Sequence, residues 1–164
     1  MSFMLLSFIT QAQDYNVTFK VNTSNIDVGP NGMYAGDGVL GGSDAYAMSD
    51  DDMDGVWEVT VSFEAGTSGN YAFFNSPTSS SDWGTKENLE GKSCGDPTNY
   101  WNRILEPVNE DLTLVHCFAT CFGNESGMCG SEYYDVTFSV NASEIEVGPN
   151  GMFVGLSLIH ISEP

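Results

Sequence analysis

At 164 residues, 41% hydrophobic and 12% aromatic, the chain is long and apolar enough to bury a core without a metal or a partner. Four Lys and Arg side chains stand against 23 Asp and Glu, a formal charge of −19. That balance argues against nucleic acid and anionic membrane, because a phosphate surface is bound by cations that displace its counterions. Neutral or cationic ligands and divalent ions stay open.

In chain order, Phe3 to Ile9 is an apolar run without alternation, followed by Thr10-Gln11-Ala12, small residues that suit cleavage before Gln13. Residues 1–12 therefore read as the remnant of a secretory signal peptide, although no basic segment precedes the run. Tyr15, Val17, Phe19 and Val21 then alternate with polar residues, the period of a half-buried strand. Gly29-Pro30-Asn31-Gly32 is a turn, since Pro presets φ and Asn-Gly tolerates positive φ. Met33-Tyr34-Ala35 is a short strand ending in glycines, and Ala45 to Met48 leads into an acidic turn, Asp50 to Gly55. The clearest strand follows, with Trp57, Val59, Val61 and Phe63 on one face and Glu58, Thr60, Ser62 and Glu64 on the other. Asn70 to Asn75 is apolar on both faces, which predicts a central strand.

From Ser76 to Asn99 the periodicity disappears into Ser, Gly, Asp, Asn and Pro, and a loop that long in a compact domain is either functional or disordered. Strand patterns return at Tyr100 to Leu105 and Leu112 to Phe118. No segment sustains a helical period, so the expected fold is all-β, an immunoglobulin-like antiparallel β-sandwich over 13–118 with a long disulfide-pinned loop. Residues 119–133 read as a Cys- and Gly-rich linker. Tyr134 to Gly155 then repeats Tyr15 to Gly36 with 15 of 22 positions identical. An offset of 119 residues fits tandem whole domains rather than a solenoid, and makes 134–155 the first strands of a second copy. That likeness stops at Gly155, and residues 156–164 resemble a translated transposase sequencing adapter.

Several groupings resemble a known family. Val17-Thr18-Phe19-x-Val21, Gly32-Met33-Tyr34, Asp52-x-Asp54-Gly55-Val56-Trp57 and Asn70-Tyr71-x-Phe73 are similar to the immunoglobulin-like sandwich of the starch- and glycogen-binding module superfamily. The chain more closely resembles a repeated module of secreted proteins of marine Bacteroidetes, in which Asp82-Trp83-Gly84-x-Lys86-Glu87-Asn88-Leu89, Asn102-Arg103-Ile104-Leu105 and Cys117-Phe118-x-x-Cys121 recur. Such modules lie beside glycoside hydrolase domains or in surface-protein repeats. The resemblance implies a secreted, non-catalytic carbohydrate-binding accessory module, with polysaccharide and adjacent domains of the same chain as partners. The alternative is a structural spacer or adhesin repeat stabilised by disulfides and Ca²⁺.

The residues themselves suggest where such functions sit. Trp83, Tyr100 and Trp101 offer faces on which a pyranose can stack, while Asp82, Lys86, Glu87, Asn88, Asn102 and Arg103 supply donors and acceptors for hydroxyls. The same residues also fit an architectural reading, in which Lys86 and Arg103 are tied to Glu87, Asp82 or Glu90 and Trp83 plugs one end of the sandwich. Asp50, Asp52, Asp54 and Gly55 copy the start of a calcium loop, with Glu58 at the ninth position. Val61 at the twelfth position excludes a full EF-hand, and an ordinary hairpin turn favours the same residues. Cys94, Cys117, Cys121 and Cys129 allow three pairings; in an oxidising compartment disulfides are expected rather than zinc, paired as Cys94 with Cys117 and Cys121 with Cys129. His116 has no nucleophile pattern around it, so no catalytic site is expected.

Overall fold

The computed structural model describes residues 13–121, 129 and 139–152. The signal-peptide and adapter expectations, residues 1–12 and 156–164, lie outside these. The chain divides into two compact units, the first ending at Glu132 and the second beginning at Tyr133.

The first unit is a two-sheet β-sandwich. Its strands are β1 (Asp14–Asn22), β2 (Met33–Gly36), β3 (Tyr46–Ala47), β4 (Val56–Glu64), β5 (Gly69–Asn75), β6 (Arg103–Leu105) and β7 (Leu112–Cys117). One sheet has the order β4-β1-β7 and the other β3-β2-β5-β6. Val17, Phe19 and Val21 of β1 are wholly buried, as the alternation requires, and sit in register against Val61, Val59 and Trp57 of β4. Phe19 meets Phe63 and Tyr71 edge-on at ring-centroid distances of 6.3 and 4.9 Å, joining the two sheets. Each such side chain taken fully from water contributes about 1.5–3 kcal/mol. Trp57 is only half-buried, packing against the rim of this core. Its ring explains Gly32, where φ is +77° and a Cβ would stand 2.9 Å from the indole.

The sandwich is not wholly antiparallel, which corrects the sequence expectation. β7 runs parallel to β1, pairing Val17 with Leu112 through Asn22 with Cys117. The reason is topological: β6 belongs to the other sheet, and the chain crosses over after Leu105 before entering β7 in the direction of β1.

β5 is central, as its apolar faces predict. One face carries Tyr71 and Phe73 into the core, while Phe74 and Ala72 on the other are buried too. The segment 76–102 runs beside β5 and over Phe74: Glu87 N donates to Phe73 O at 2.9 Å, Phe74 bridges Lys86 and its ring meets Trp83, and Leu89 is fully buried.

The two disulfides are Cys94–Cys121 and Cys117–Cys129, with Cα separations of 5.4 and 5.5 Å. The expected pairing of Cys94 with Cys117 and Cys121 with Cys129 is therefore wrong. Cys117 ends β7 beside Asn22, and the chain turns at once, with Thr120 N donating to Cys117 O, so that Cys121 is the cysteine brought to the loop. Both bonds also tie residues of the expected linker back to the sandwich, extending the module beyond residue 118.

In the second unit, residues 139–152 repeat the local bonds of the first copy. Ser143 N donates to Asn141 Oδ1 at 2.9 Å as Ser24 N does to Asn22 Oδ1 at 2.8 Å, and Gly151 N to Gly148 O at 3.0 Å as Gly32 N does to Gly29 O at 3.0 Å. No strand forms among these residues. Val140 and Met152, counterparts of the buried Val21 and Met33, are 62% and 50% exposed.

Candidate functional site

The segment 76–102 delivers Trp83, Lys86, Tyr100 and Trp101 to one groove of about 640 Å³, which Asp37 completes from the turn after β2. Its floor is a row of hydrogen bonds. Lys86 Nζ donates to Tyr100 O at 2.6 Å and to Asn102 Oδ1 at 2.7 Å, and Asn102 Nδ2 donates to Asp37 Oδ2 at 3.0 Å. Burial lowers the Lys86 pKa from its ordinary value, opposed by the negative charges of Asp37 and Glu87. The walls are aromatic. Tyr100 is 83% and Trp83 51% exposed, the latter backed by Phe74 at a ring-centroid distance of 6.0 Å. Trp101 is half-buried against Gly95, beside the Cys94–Cys121 bond.

Three of the five lining residues hold positive φ without being glycine: Asp37 at 65°, Tyr100 at 52° and Trp101 at 59°. For a bulky aromatic residue this conformation is strained, by about 1–3 kcal/mol each, and persists only where surrounding contacts impose it. Here Trp101 N bonds Asp96 O at 2.9 Å, Asn102 N bonds Asn99 O at 3.0 Å, and Lys86 caps the Tyr100 carbonyl. Tyr100 and Trp101, expected to open a strand, instead form a turn that presents their rings, and β6 starts only at Arg103.

Beneath the groove lies an ion pair. Arg103 and Glu87 are 2% and 1% exposed, with Nη2 to Oε2 at 2.6 Å and Nε to Oε1 at 2.9 Å. Glu87 also accepts from Phe73 N at 3.1 Å and Ala119 N at 3.0 Å; Arg103 donates to Cys117 O at 2.9 Å and stacks over Phe73. Neither side chain reaches a ligand at the surface, and Asn102, 1% exposed, serves the floor through its amide. The architectural reading therefore holds for Glu87 and Arg103, whereas Lys86 bonds neither Asp82 nor Glu90 but the floor of the groove. Asp82 caps its own turn by accepting from Thr78 N and Oγ1, and Asn88 accepts from Glu90 N. Asp37 had not been singled out by sequence reasoning. Its signal was the triplet Gly36-Asp37-Gly38, where a Cβ on Gly38 would run into the carbonyl of Asn70.

His116 points inward from β7, its Nε2 2.7 Å from the Tyr71 hydroxyl. Burial, helped by the charge of Arg103, pulls its pKa down to about 3, and burial pushes the Tyr71 phenol above its ordinary range. Both groups are neutral at ordinary pH, Tyr71 buried in the core and His116 half-buried beside it.

Asp50, Asp52 and Asp54 bring carboxylate oxygens within 4.8 Å of one another. Asp50 Oδ1 already accepts from Asp54 N at 3.0 Å, Asp54 Oδ1 from Val56 N at 2.7 Å, and Glu58 pairs with Lys20 at 2.7 Å. These bonds are those of an ordinary hairpin turn, and they occupy part of the oxygen set that a cation would use.

No protein-family model, curated protein or solved structure matches the chain.

Proposed function

We propose that the module is a non-catalytic carbohydrate-binding unit, exported and linked to other domains of a polysaccharide-degrading or surface protein. The observation that supports this reading is the groove of Trp83, Tyr100 and Trp101 over the Lys86–Asn102–Asp37 floor. Apolar ring faces take the C–H side of a sugar, and a donor beside an acceptor takes neighbouring hydroxyls. Strained backbone at the very residues that present the rings is what a preorganised recognition surface needs. Two disulfides are compatible with an extracellular setting.

Affinity electrophoresis against laminarin, starch, xylan, chitosan and alginate tests the reading. At least one glycan is expected to retard the protein, and Trp83→Ala or Tyr100→Ala, both at exposed positions, to weaken binding by about tenfold or more. Retention of full mobility on every glycan would leave the module a disulfide-stabilised spacer.

A further inference from the structure

Resting on the reading of the groove as a glycan site, we infer that its preferred ligand carries a protonated amine, that is, a glucosamine-type polymer rather than a neutral or acidic one. All four Lys and Arg side chains of the chain are described, and all four are engaged within the protein. Lys20 pairs with Glu58, Lys92 Nζ donates to Ala119 O at 2.6 Å, and Arg103 is sealed against Glu87. Lys86, the one cation in the groove, spends two of its three donors on Tyr100 O and Asn102 Oδ1. Among the described residues no arginine fork is presented to a carboxylate or sulfate, and the groove's ammonium has one donor left.

The acceptor side is less consumed. Asp37 Oδ1 takes Gly38 N at 2.7 Å and Oδ2 takes Asn102 Nδ2 at 3.0 Å, which leaves each oxygen a lone pair at a half-buried position on the groove. A carboxylate that shares its groove with three electron-rich rings attracts an ammonium through charge and ring quadrupole together, against the opposing charge of Lys86. The chain's net charge of −19 favours association with cationic polymer over polyuronates.

The test is calorimetry with the full chain and four oligosaccharides: a glucosamine hexamer, its N-acetylated counterpart, a neutral glucan and a polyuronate. It is run below the amine pKa and at physiological ionic strength, where a Debye length of ~8 Å screens attraction from distant carboxylates. The glucosamine oligomer is expected to bind about tenfold tighter than the acetylated one. Asp37→Asn, isosteric at the groove, should erase that margin, and Trp83→Ala combined with Tyr100→Ala should weaken every ligand. Equal or tighter binding of the acetylated or neutral oligomer, or a margin that survives Asp37→Asn, overturns the amine assignment while leaving the glycan site standing. Failure of all four ligands to bind removes both.

Discussion

Replacing Glu87 by Gln is the most direct test of how the groove is held. The carboxylate accepts four donors at 2.6–3.1 Å: Phe73 N, Arg103 Nε, Arg103 Nη2 and Ala119 N. A glutamine has nearly the same shape but no charge, and its NH₂ must face either Phe73 N with Arg103 Nε or Ala119 N with Arg103 Nη2. Two buried donors then lose their acceptor, and a guanidinium 2% exposed loses its counter-charge. Breaking a buried pair from one side costs about 3–5 kcal/mol, a large share of the ~5–15 kcal/mol that holds a domain together. Urea unfolding followed by tryptophan fluorescence reads this as a lower midpoint at unchanged slope. Glu87→Met with Arg103→Met removes both charges and should cost less than the sum of the single changes, since the two residues act as one unit. A Glu87→Gln protein within about 1 kcal/mol of the parent would refute the account of the loop as anchored by this pair.

Three further outcomes are expected. Non-reducing peptide mapping should yield Cys94 with Cys121, and removing that bond, which spans 27 residues, should cost about 3.5 kcal/mol on the loop-entropy estimate; recovery of a Cys94–Cys117 peptide would contradict the fold. The unfolded chain protonates His116 below its ordinary value of 6.5, whereas the folded chain resists until about 3, so stability falls as pH drops through that interval and levels off beneath it. Between pH 7 and 5 this amounts to about 2 kcal/mol, which His116→Gln should abolish; an unchanged slope in that variant would show that other groups carry it. Asp50→Ala removes the acceptor for Asp54 N and Gly55 N, so it should cost about 1 kcal/mol with or without millimolar Ca²⁺. A calcium-dependent rise in Tm that Asp52→Asn eliminates would instead identify a cation site.

What could be read from the chain beforehand followed one physical rule. Where an interaction is local, residue order carries it: the alternation of β1 and β4, and the Asn-x-Ser and Gly-Pro-Asn-Gly turns, which form alike in both copies. Where it depends on remote partners, residue order is silent. Val140 precedes Asn141 as Val21 precedes Asn22, yet it is 62% exposed, because burial needs strands such as β4 and β7 alongside. Glu87, Asp82 and Glu90 offer themselves alike in the sequence as partners for Arg103, and nothing within a few residues selects Glu87 or announces that the pair is buried. Tyr100 and Trp101 look like a strand start, since their positive φ is imposed by Asp96 and Lys86 rather than by a glycine. Four cysteines left three pairings open, and the tight turn after Cys117 decided among them. Lys86 and the three aromatic residues lie close in sequence and line one groove, but Asp37 arrives from a different part of the chain.

The parallel run of β7 beside β1 has a mechanical consequence. The chain enters β1 at Asp14 and leaves β7 at Cys117, and the six matched residues from Val17 with Leu112 to Asn22 with Cys117 place entry and exit at opposite ends of the same pair. A pull between those ends acts along the strands, loading their shared hydrogen bonds in shear all together instead of peeling them apart singly. Such a clamp gives way only when its bonds break together, where a hairpin of equal length would open one bond at a time.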